Sequence, residues 1–320
     1  MAAFLACSFG QAQIDRYVTG ATGQLHLYPN DVDRILIPDF SEQFQARISH
    51  IYDWQAVEHG ASKSSQGRAE GELLEQLGLR GWAPPQPLTF TGRASSAFNA
   101  ERIDAQYFRP LFVEVEARLA ATGSALELGS ILTTNARGRQ PQYADGGEGL
   151  PVVNSKHVRT NRVILSDNRT ATEEGSAVVI ENGDVLVNGT GEGTIGRAAS
   201  YLHTQRALPD NHVTVLRTDA VDPVYLGVFL NSPLGQWQIE RQIKGSSGQV
   251  ELYPNDIARI MIWNAPDEVQ QSVRAAILSA FDEERRARDL LEAAKRAIEI
   301  AIEDGEPAAM AYLDEAGSTI

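Results

Sequence analysis

The 320-residue chain predicts an α+β protein: one β-rich domain with a twisted mixed sheet, flanked by two long helices that form an antiparallel, coiled-coil-like pair. Three observations predict this. A stretch near the N-terminus recurs late in the chain. Each copy runs directly into a long helical pattern. Between those patterns lie short β-like runs separated by Gly, Asn and Asp.

The recurring stretch is Gly20-Ala-Thr-Gly-Gln-Leu-His-Leu-Tyr-Pro-Asn-Asp-Val-Asp-Arg-Ile-Leu-Ile37, against Gly245-Ser-Ser-Gly-Gln-Val-Glu-Leu-Tyr-Pro-Asn-Asp-Ile-Ala-Arg-Ile-Met-Ile262. Upstream, Phe4-Leu5 and Gly10-Gln-Ala-Gln-Ile14 match Phe229-Leu230 and Gly235-Gln-Trp-Gln-Ile239. Without gaps, roughly half the positions from Phe4 to Ile37 equal their partners about 225 residues later. Two copies so far apart are too few for a solenoid and imply duplication of a domain-sized module.

Composition narrows the class. Hydrophobic residues make up 42% of the chain, ordinary for a water-soluble protein, and no apolar run reaches membrane-spanning length. The opening residues lack a basic region and match the interior of the later copy, so they read as folded structure rather than a signal peptide. A lone Cys7 excludes an internal disulfide and a Cys-rich zinc site, and fits a reducing cytoplasm. The formal charge of −14 argues against indiscriminate nucleic-acid binding. From Pro266 onward acids outnumber bases about two to one, whereas Gly129 to Arg217 is balanced and its bases are almost all arginine. The middle can therefore present a local basic face.

In chain order, residues 3–17 read as one helix on Phe4, Leu5, Phe9 and Ile14. The first repeat ends in Val32-Asp-Arg-Ile-Leu-Ile37, and Pro38 breaks it. Asp39 and Glu42 resemble a capping box, with Asn264 and Asp267 at the same places in the second copy. The first long helix buries Phe44, Ile48, Ile51 and Tyr52; Gly60 to Gly67 should weaken it before Leu73, Leu74 and Leu77 resume the stripe. In the second, Val269, Val273, Ile277, Ala280, Ala287, Leu291, Ala294, Ile298 and Ala301 recur at steps of three, four or seven. A stripe that narrow suits another helix as partner, although an ordinary surface helix on a globular core has the same pattern. Pro110 to Thr122 reads as a shorter helix. Strand-like runs follow at Ile131–Thr134, Leu150–Val153, Arg162–Leu165, Ser176–Ile180, Asp184–Val187, Ile195–Ala199 and His212–Arg217.

No catalytic set is visible: there is no phosphate loop, nucleophile elbow or His pair at metal spacing, and no cofactor is implied. Gly191-Glu-Gly-Thr-Ile-Gly196 has dinucleotide-turn spacing after a strand, but Leu208-Pro-Asp210 leaves little room for the helix that turn requires. The basic and polar residues are more informative. Lys156, Arg159, Asn161 and Arg162 share one turn-rich segment; Asn188, Thr190, Thr194 and Arg197 share the Gly loop. Lys244 opens a third segment with Ser246 and Ser247. Arg, Lys and Asn hydrogen-bond base edges, while Ser, Thr and backbone amides at Gly turns suit phosphates. These eleven residues are the candidate DNA-binding set, with Arg159 and Arg197 assigned to bases and Lys156 and Lys244 to phosphates. A solvated charged face is the plainer account of the same residues.

Leu128-Gly-Ser-Ile131, then Leu150 to Arg159, then Gly183-Asp-Val-Leu-Val-Asn-Gly-Thr-Gly-Glu-Gly-Thr-Ile-Gly-Arg197, with the tail from Tyr225 to Ile262, resemble the target recognition domain of type I restriction–modification specificity subunits. Arg102 to Pro110 resembles the stretch that opens such a domain, and the two long helices resemble the paired spacer helices. The resemblance implies residues 1–37 as the tail of a first, truncated recognition domain and 38–84 as the first spacer helix. Residues 85–262 would be a recognition domain, and 263–320 the second spacer helix with the C-terminal tail. It implies a cytoplasmic, non-catalytic subunit that directs a restriction–modification complex to a double-stranded DNA sequence. Its partners would be DNA methyltransferase subunits, a restriction subunit and, with one recognition domain and a fragment, a second copy of the chain. Two other readings stay open: the recognition portion of a fused or split DNA methyltransferase, and a nucleotide-dependent enzyme using the Gly191–Gly196 loop.

Overall fold

Proline occupies the first turn of the helices that begin at Pro29, Pro110, Pro223, Pro233 and Pro254. The computed structural model describes residues 1–20, 25–144, 148–246 and 249–317. Helices α1 (Ala2–Ala6) and α2 (Ser8–Tyr17) and the single turn α3 (Pro29–Val32) precede α4 (Glu42–Gln76). Next come α5 (Ala94–Ala100), a 3-10 turn at Ala105–Phe108, and α6 (Pro110–Ala120). The strands are β1 (Ala125–Glu127), β2 (Thr134–Arg137), β3 (Leu150–Val153), β4 (Val158–Arg159) and β5 (Arg162–Val163). They continue as β6 (Thr170–Ala171), β7 (Val185–Asn188), β8 (Ala198–Ser200), β9 (Leu208–Pro209) and β10 (Val213–Arg217). Helices α7 (Pro223–Asn231) and α8 (Pro233–Gln242) lead to β11 (Lys244–Ser246), β12 (Gln249–Glu251), the turn α9 (Pro254–Ile257) and β13 (Met261–Trp263). Helices α10 (Asp267–Glu303) and α11 (Glu306–Gly317) close the described chain. Two compact units result, Met1–Gln66 with Leu278–Ile320, and Gly67–Ile277.

The expected helix over 3–17 is two helices. Cys7 is extended (φ −79°, ψ 170°), and the bend brings Gly10 so close to the Phe4 carbonyl that a Cβ would overlap it. The second copy repeats the device: Ser232 is extended between α7 and α8, and a Cβ on Gly235 would overlap the Phe229 carbonyl. Hydrophobic spacing along the chain carries no mark of such a bend.

The long helices α4 and α10 run antiparallel. In the first unit Arg286 Nε donates to Glu58 Oε2 at 2.9 Å, and Ser62 Oγ to the Ala280 carbonyl at 2.9 Å. In the second, Ser272 Oγ donates to Glu72 Oε2 at 2.6 Å. Residue numbers rise along one helix as they fall along the other. Val273, Ala280, Ala287, Ala294 and Ala301, at strict sevenfold spacing, are all buried. Helix α4 is unbroken through Gly60 to Gly67, contrary to expectation, because Ser62 and Ser65 are buried and their small side chains allow close packing. Leu290, not Leu291, is the buried leucine. Ser41 Oγ, rather than the expected Asp39, accepts from the Phe44 amide at the helix start (3.3 Å). Ala3, Phe4 and Cys7 share the first unit's core with Phe44, Ile51 and Ile298.

In the second unit β2-β10-β7-β8 form an antiparallel sheet. Strand β3 pairs antiparallel with β6 and parallel with β9, which gives the strand region its mixed character. The run at Ile131–Thr134 starts its strand only at Thr134, and the run at Ser176–Ile180 supplies just an isolated bridge from Ile180 to Ala207. Leu186, Ala199, Tyr201, Val213 and Val215 fill the core beneath. The Tyr201 phenol, desolvated there, is pushed up to about 12. Arg217 on β10 holds the buried Asp184 through two bonds, Nε to Oδ1 at 2.6 Å and Nη2 to Oδ2 at 2.8 Å. No helix is long and apolar enough to cross a membrane among the described residues.

Candidate nucleic-acid interface

Three segments far apart in sequence meet at the Gly loop that joins β7 to β8. The loop closes on itself, with the Asn188 amide donating to the Arg197 carbonyl (3.0 Å) and the Gly196 amide to the Asn188 carbonyl (2.8 Å). It then enters strand β8, antiparallel to β7, not the helix that a dinucleotide-binding turn feeds. Gly196 has positive φ, and a Cβ there would press on the Ile239 side chain at 2.5 Å; a Cβ on Gly189 would meet the Leu252 carbonyl at 3.0 Å. Those two glycines admit the protein's own chain. At Gly193, by contrast, the surroundings are clear.

On one side stands the β4–β5 hairpin. Asn188 Nδ2 donates to the Ser155 carbonyl (3.1 Å), and the Asn161 amide to the Ala198 carbonyl (3.0 Å). Asn188 is fully buried; Asn161 is buried at φ 61° and its Oδ1 accepts from Asn231 Nδ2 (2.6 Å). Both side chains therefore position the loops rather than offering surface donors. Arg159 is exposed at the hairpin end opposite Arg162, and it has no carboxylate partner among the described residues. Lys156 is ion-paired with Asp167, whose carboxyl this contact holds below the usual range. Beneath it His157 is buried. Its Nδ1 accepts from the Asn154 amide (3.1 Å) and lies 3.2 Å from Asn168 Nδ2, so the proton sits on Nε2, facing Asp167 Oδ1 at 3.1 Å. Burial, helped by the charges of Lys156 and Arg159, leaves the His157 pKa below its ordinary value despite the upward pull of Asp167.

On the other side is the β11–β12 pair. Thr190 bridges to Glu251, and the Leu252 amide donates to the Gly189 carbonyl at 2.9 Å. Thr190 Oγ1 lies 2.9 Å from His212 Nδ1, while Thr194 Oγ1 donates back into the loop to the Thr190 carbonyl at 3.2 Å. Arg197 Nη2 donates to the Gly193 carbonyl (3.2 Å) and has no carboxylate partner among the described residues. Lys244 Nζ is bound to the buried Asp256 (2.7 Å). Ser246 lies in β11 by its backbone, and Ser247 falls outside the described residues.

Arg137, Glu251 and Tyr253 lie beside these residues and are absent from the candidate set read from the sequence. The Arg137 guanidinium lies 5.5 Å from the Tyr253 ring centroid and 3.2 Å from Glu251. Lys244 Nζ is 6.0 Å from the same ring. The Tyr253 hydroxyl holds the Glu251 carboxyl below its ordinary range, and Glu251 in turn raises the phenol. The available signal was the repeated Tyr-Pro-Asn-Asp, in which Tyr253 caps a helical turn and stands half out of the surface.

No protein-family model matches the chain, and no curated protein matches it. Among solved structures, one match is a chain from work described as the structural basis of complex assembly and conformational transition of the type I R-M system. It is 16% identical, with a TM-score of 0.41, covering 98% of this chain and 69% of that one. Another is a type I restriction–modification system S subunit from M. genitalium, 12% identical at a TM-score of 0.39, covering 91% of this chain and 68% of that one.

Proposed function

We propose that the protein is a non-catalytic, DNA-reading specificity subunit that directs a restriction–modification complex to its target. The observation that carries the reading is local. Three distant segments meet at one loop and leave Arg159 and Arg197 without carboxylate partners, in a chain of net charge −14. Unneutralised guanidinium groups on an otherwise acidic surface favour a ligand that supplies its own acceptors, and base edges with flanking phosphates do so. Lys156 and Lys244 already hold carboxylates, so a phosphate there must displace Asp167 or Asp256. The antiparallel α4–α10 pair is the spacer on this reading. Its acidic exposed faces keep it off DNA and turn it toward protein partners, the methyltransferase and restriction subunits.

The test uses alanine variants of Arg159, Arg197, Lys156 and Lys244 in the assembled complex, titrated against a selected and a scrambled duplex over a salt series. Losing a base-reading arginine should cost about 1–3 kcal/mol of discrimination. Losing a phosphate-contacting lysine should weaken both duplexes alike and reduce the salt slope by about 1. Parental behaviour of all four variants on both duplexes would place the reading surface elsewhere.

A further inference from the structure

The two copies of the duplicated module share their internal hydrogen bonds but not their surroundings. Gln13 clamps Leu36, with the Leu36 amide donating to Oε1 (2.8 Å) and Nε2 to the Leu36 carbonyl (2.9 Å). Gln238 clamps Met261 identically, at 2.7 and 2.8 Å. Thr19 bridges His26 in the register that pairs Lys244 with Glu251. Tyr28 and Tyr253 each begin the same helical turn. Each copy thus presents one edge of a short extended segment to its own glutamine and leaves the other edge facing outward.

In the second copy that outer edge is occupied. Strand β1 pairs with β13, Leu126 opposite Ile262, and the Leu128 and Gly129 amides donate to the Ile260 and Ala258 carbonyls, both at 2.8 Å. In the first copy no strand lies beside Ile35–Ile37 among the described residues. The apolar positions record the difference. Leu252, Ile257 and Ile262 are 0% exposed, whereas their counterparts Leu27, Val32 and Ile37 are 37%, 48% and 46% exposed. Several neighbouring large side chains open to water in this way mark a binding surface rather than chance exposure.

We infer that the outer edge of Ile35–Ile37, with Leu27 and Val32, is a docking site for a helix–strand–turn segment like Pro110–Ser130 that comes from outside these 320 residues. The second copy shows what fills such an edge: a short strand antiparallel to it, then a Gly turn reaching the next carbonyls. An intact second molecule of this chain does not fit, because its β1 is already paired with its own β13. The inference rests on the duplication, not on the DNA reading, and either can fail alone.

A register-specific cross-link tests it. The full chain carries Cys7→Ser, the residue that Ser232 already is in the second copy, together with Ile37→Cys. The probe is a synthetic peptide of residues 110–131 with Leu126→Cys, the position that faces Ile262. Mild oxidation should join peptide to chain, and hydrogen exchange at Ile35–Ile37 should slow when the peptide is present. A peptide with Glu127→Cys instead should cross-link roughly tenfold less, because a one-residue shift turns the thiol to the opposite face. Adding Leu27→Asp to the chain should abolish joining. Equal cross-linking of both peptides, no cross-linking of either, or a disulfide-joined dimer of the chain in preference to the peptide adduct would overturn the inference. DNA titrations of the same variant should match the parent whichever way the cross-link turns out, which separates this test from that of the DNA reading.

Discussion

The first and second copies of the repeat fold alike and are buried differently. Both bend at an extended residue, both bring a glycine against a phenylalanine carbonyl, and both clamp an extended segment with a glutamine. Yet Leu252, Ile257 and Ile262 lie in a core while Leu27, Val32 and Ile37 meet water. Divergence between the copies follows the same line. Asn231, which ties α7 to Ala198 and Asn161, is Ala6 in the first copy. The glutamine that clamps each module internally is kept; the asparagine that holds the second one to the β-domain is not. Internal geometry and external partnership are thus separable properties of one sequence pattern.

Four sets of substitutions sharpen or break that comparison. The largest difference should come from aspartate at the paired apolar positions. Ile257→Asp buries an unpaired charge and should cost about 4 kcal/mol or more, whereas Val32→Asp should stay within about 0.5 kcal/mol. Urea titrations followed by circular dichroism measure both, and equal losses would erase the distinction. The glycines should behave alike instead. Gly10→Ala and Gly235→Ala each force a Cβ onto a carbonyl oxygen and should each cost about 1–3 kcal/mol. A neutral Gly10→Ala would mean the first bend is not built as the second is.

The glutamines test an intermediate case. Gln238 is buried, so Gln238→Ala leaves the Met261 backbone groups unsatisfied and should cost about 1–3 kcal/mol. Gln13 is only half-buried and water can replace it, so Gln13→Ala should cost about 0.5–1 kcal/mol. Thermal melts of the two variants should rank accordingly. The smallest effect is a pH dependence confined to the β-domain. Burial holds the His157 pKa below its ordinary 6.5, so between the two values the unfolded chain binds the extra proton. The associated stability is fully present above pH 6.5 and is lost as pH falls toward the lowered value. Lys156, Arg159 and Asp167 face the ring, and the two cations reinforce the effect of burial. His157→Gln should flatten the acid limb reported by Trp82, Trp237 and Trp263, while Trp54 in the first unit should report no change.

Much of this molecule is readable from one dimension, because the features are local or periodic. The duplication is a direct match of residues, and the small-residue stripe of α10 follows from steps of three, four and seven along the chain. The candidate loops announced themselves through glycine, asparagine and arginine clustered between strand-like runs. What those side chains do was not readable in the same way. Asn161 and Asn188 have the composition of surface donors, but Asn231 and Ser155, far away in sequence, commit them to holding the loops. Lys156 and Lys244 look like free cations until Asp167 and Asp256 meet them.

By itself the sequence determined the duplication, the two long helical patterns and the place of the Gly loop. Each of these depends on local composition or on a repeated pattern. Tertiary structure decided which copy is covered, which polar residues are buried, and which arginines have no carboxylate partner among the described residues. Burial and ion pairing are set by whatever else arrives at a given point in space, and residues such as Leu126, Gly189 and Asn161 reach their partners only after the chain has closed over long separations. Two stretches alike at roughly half their positions therefore end as a core element and an open edge.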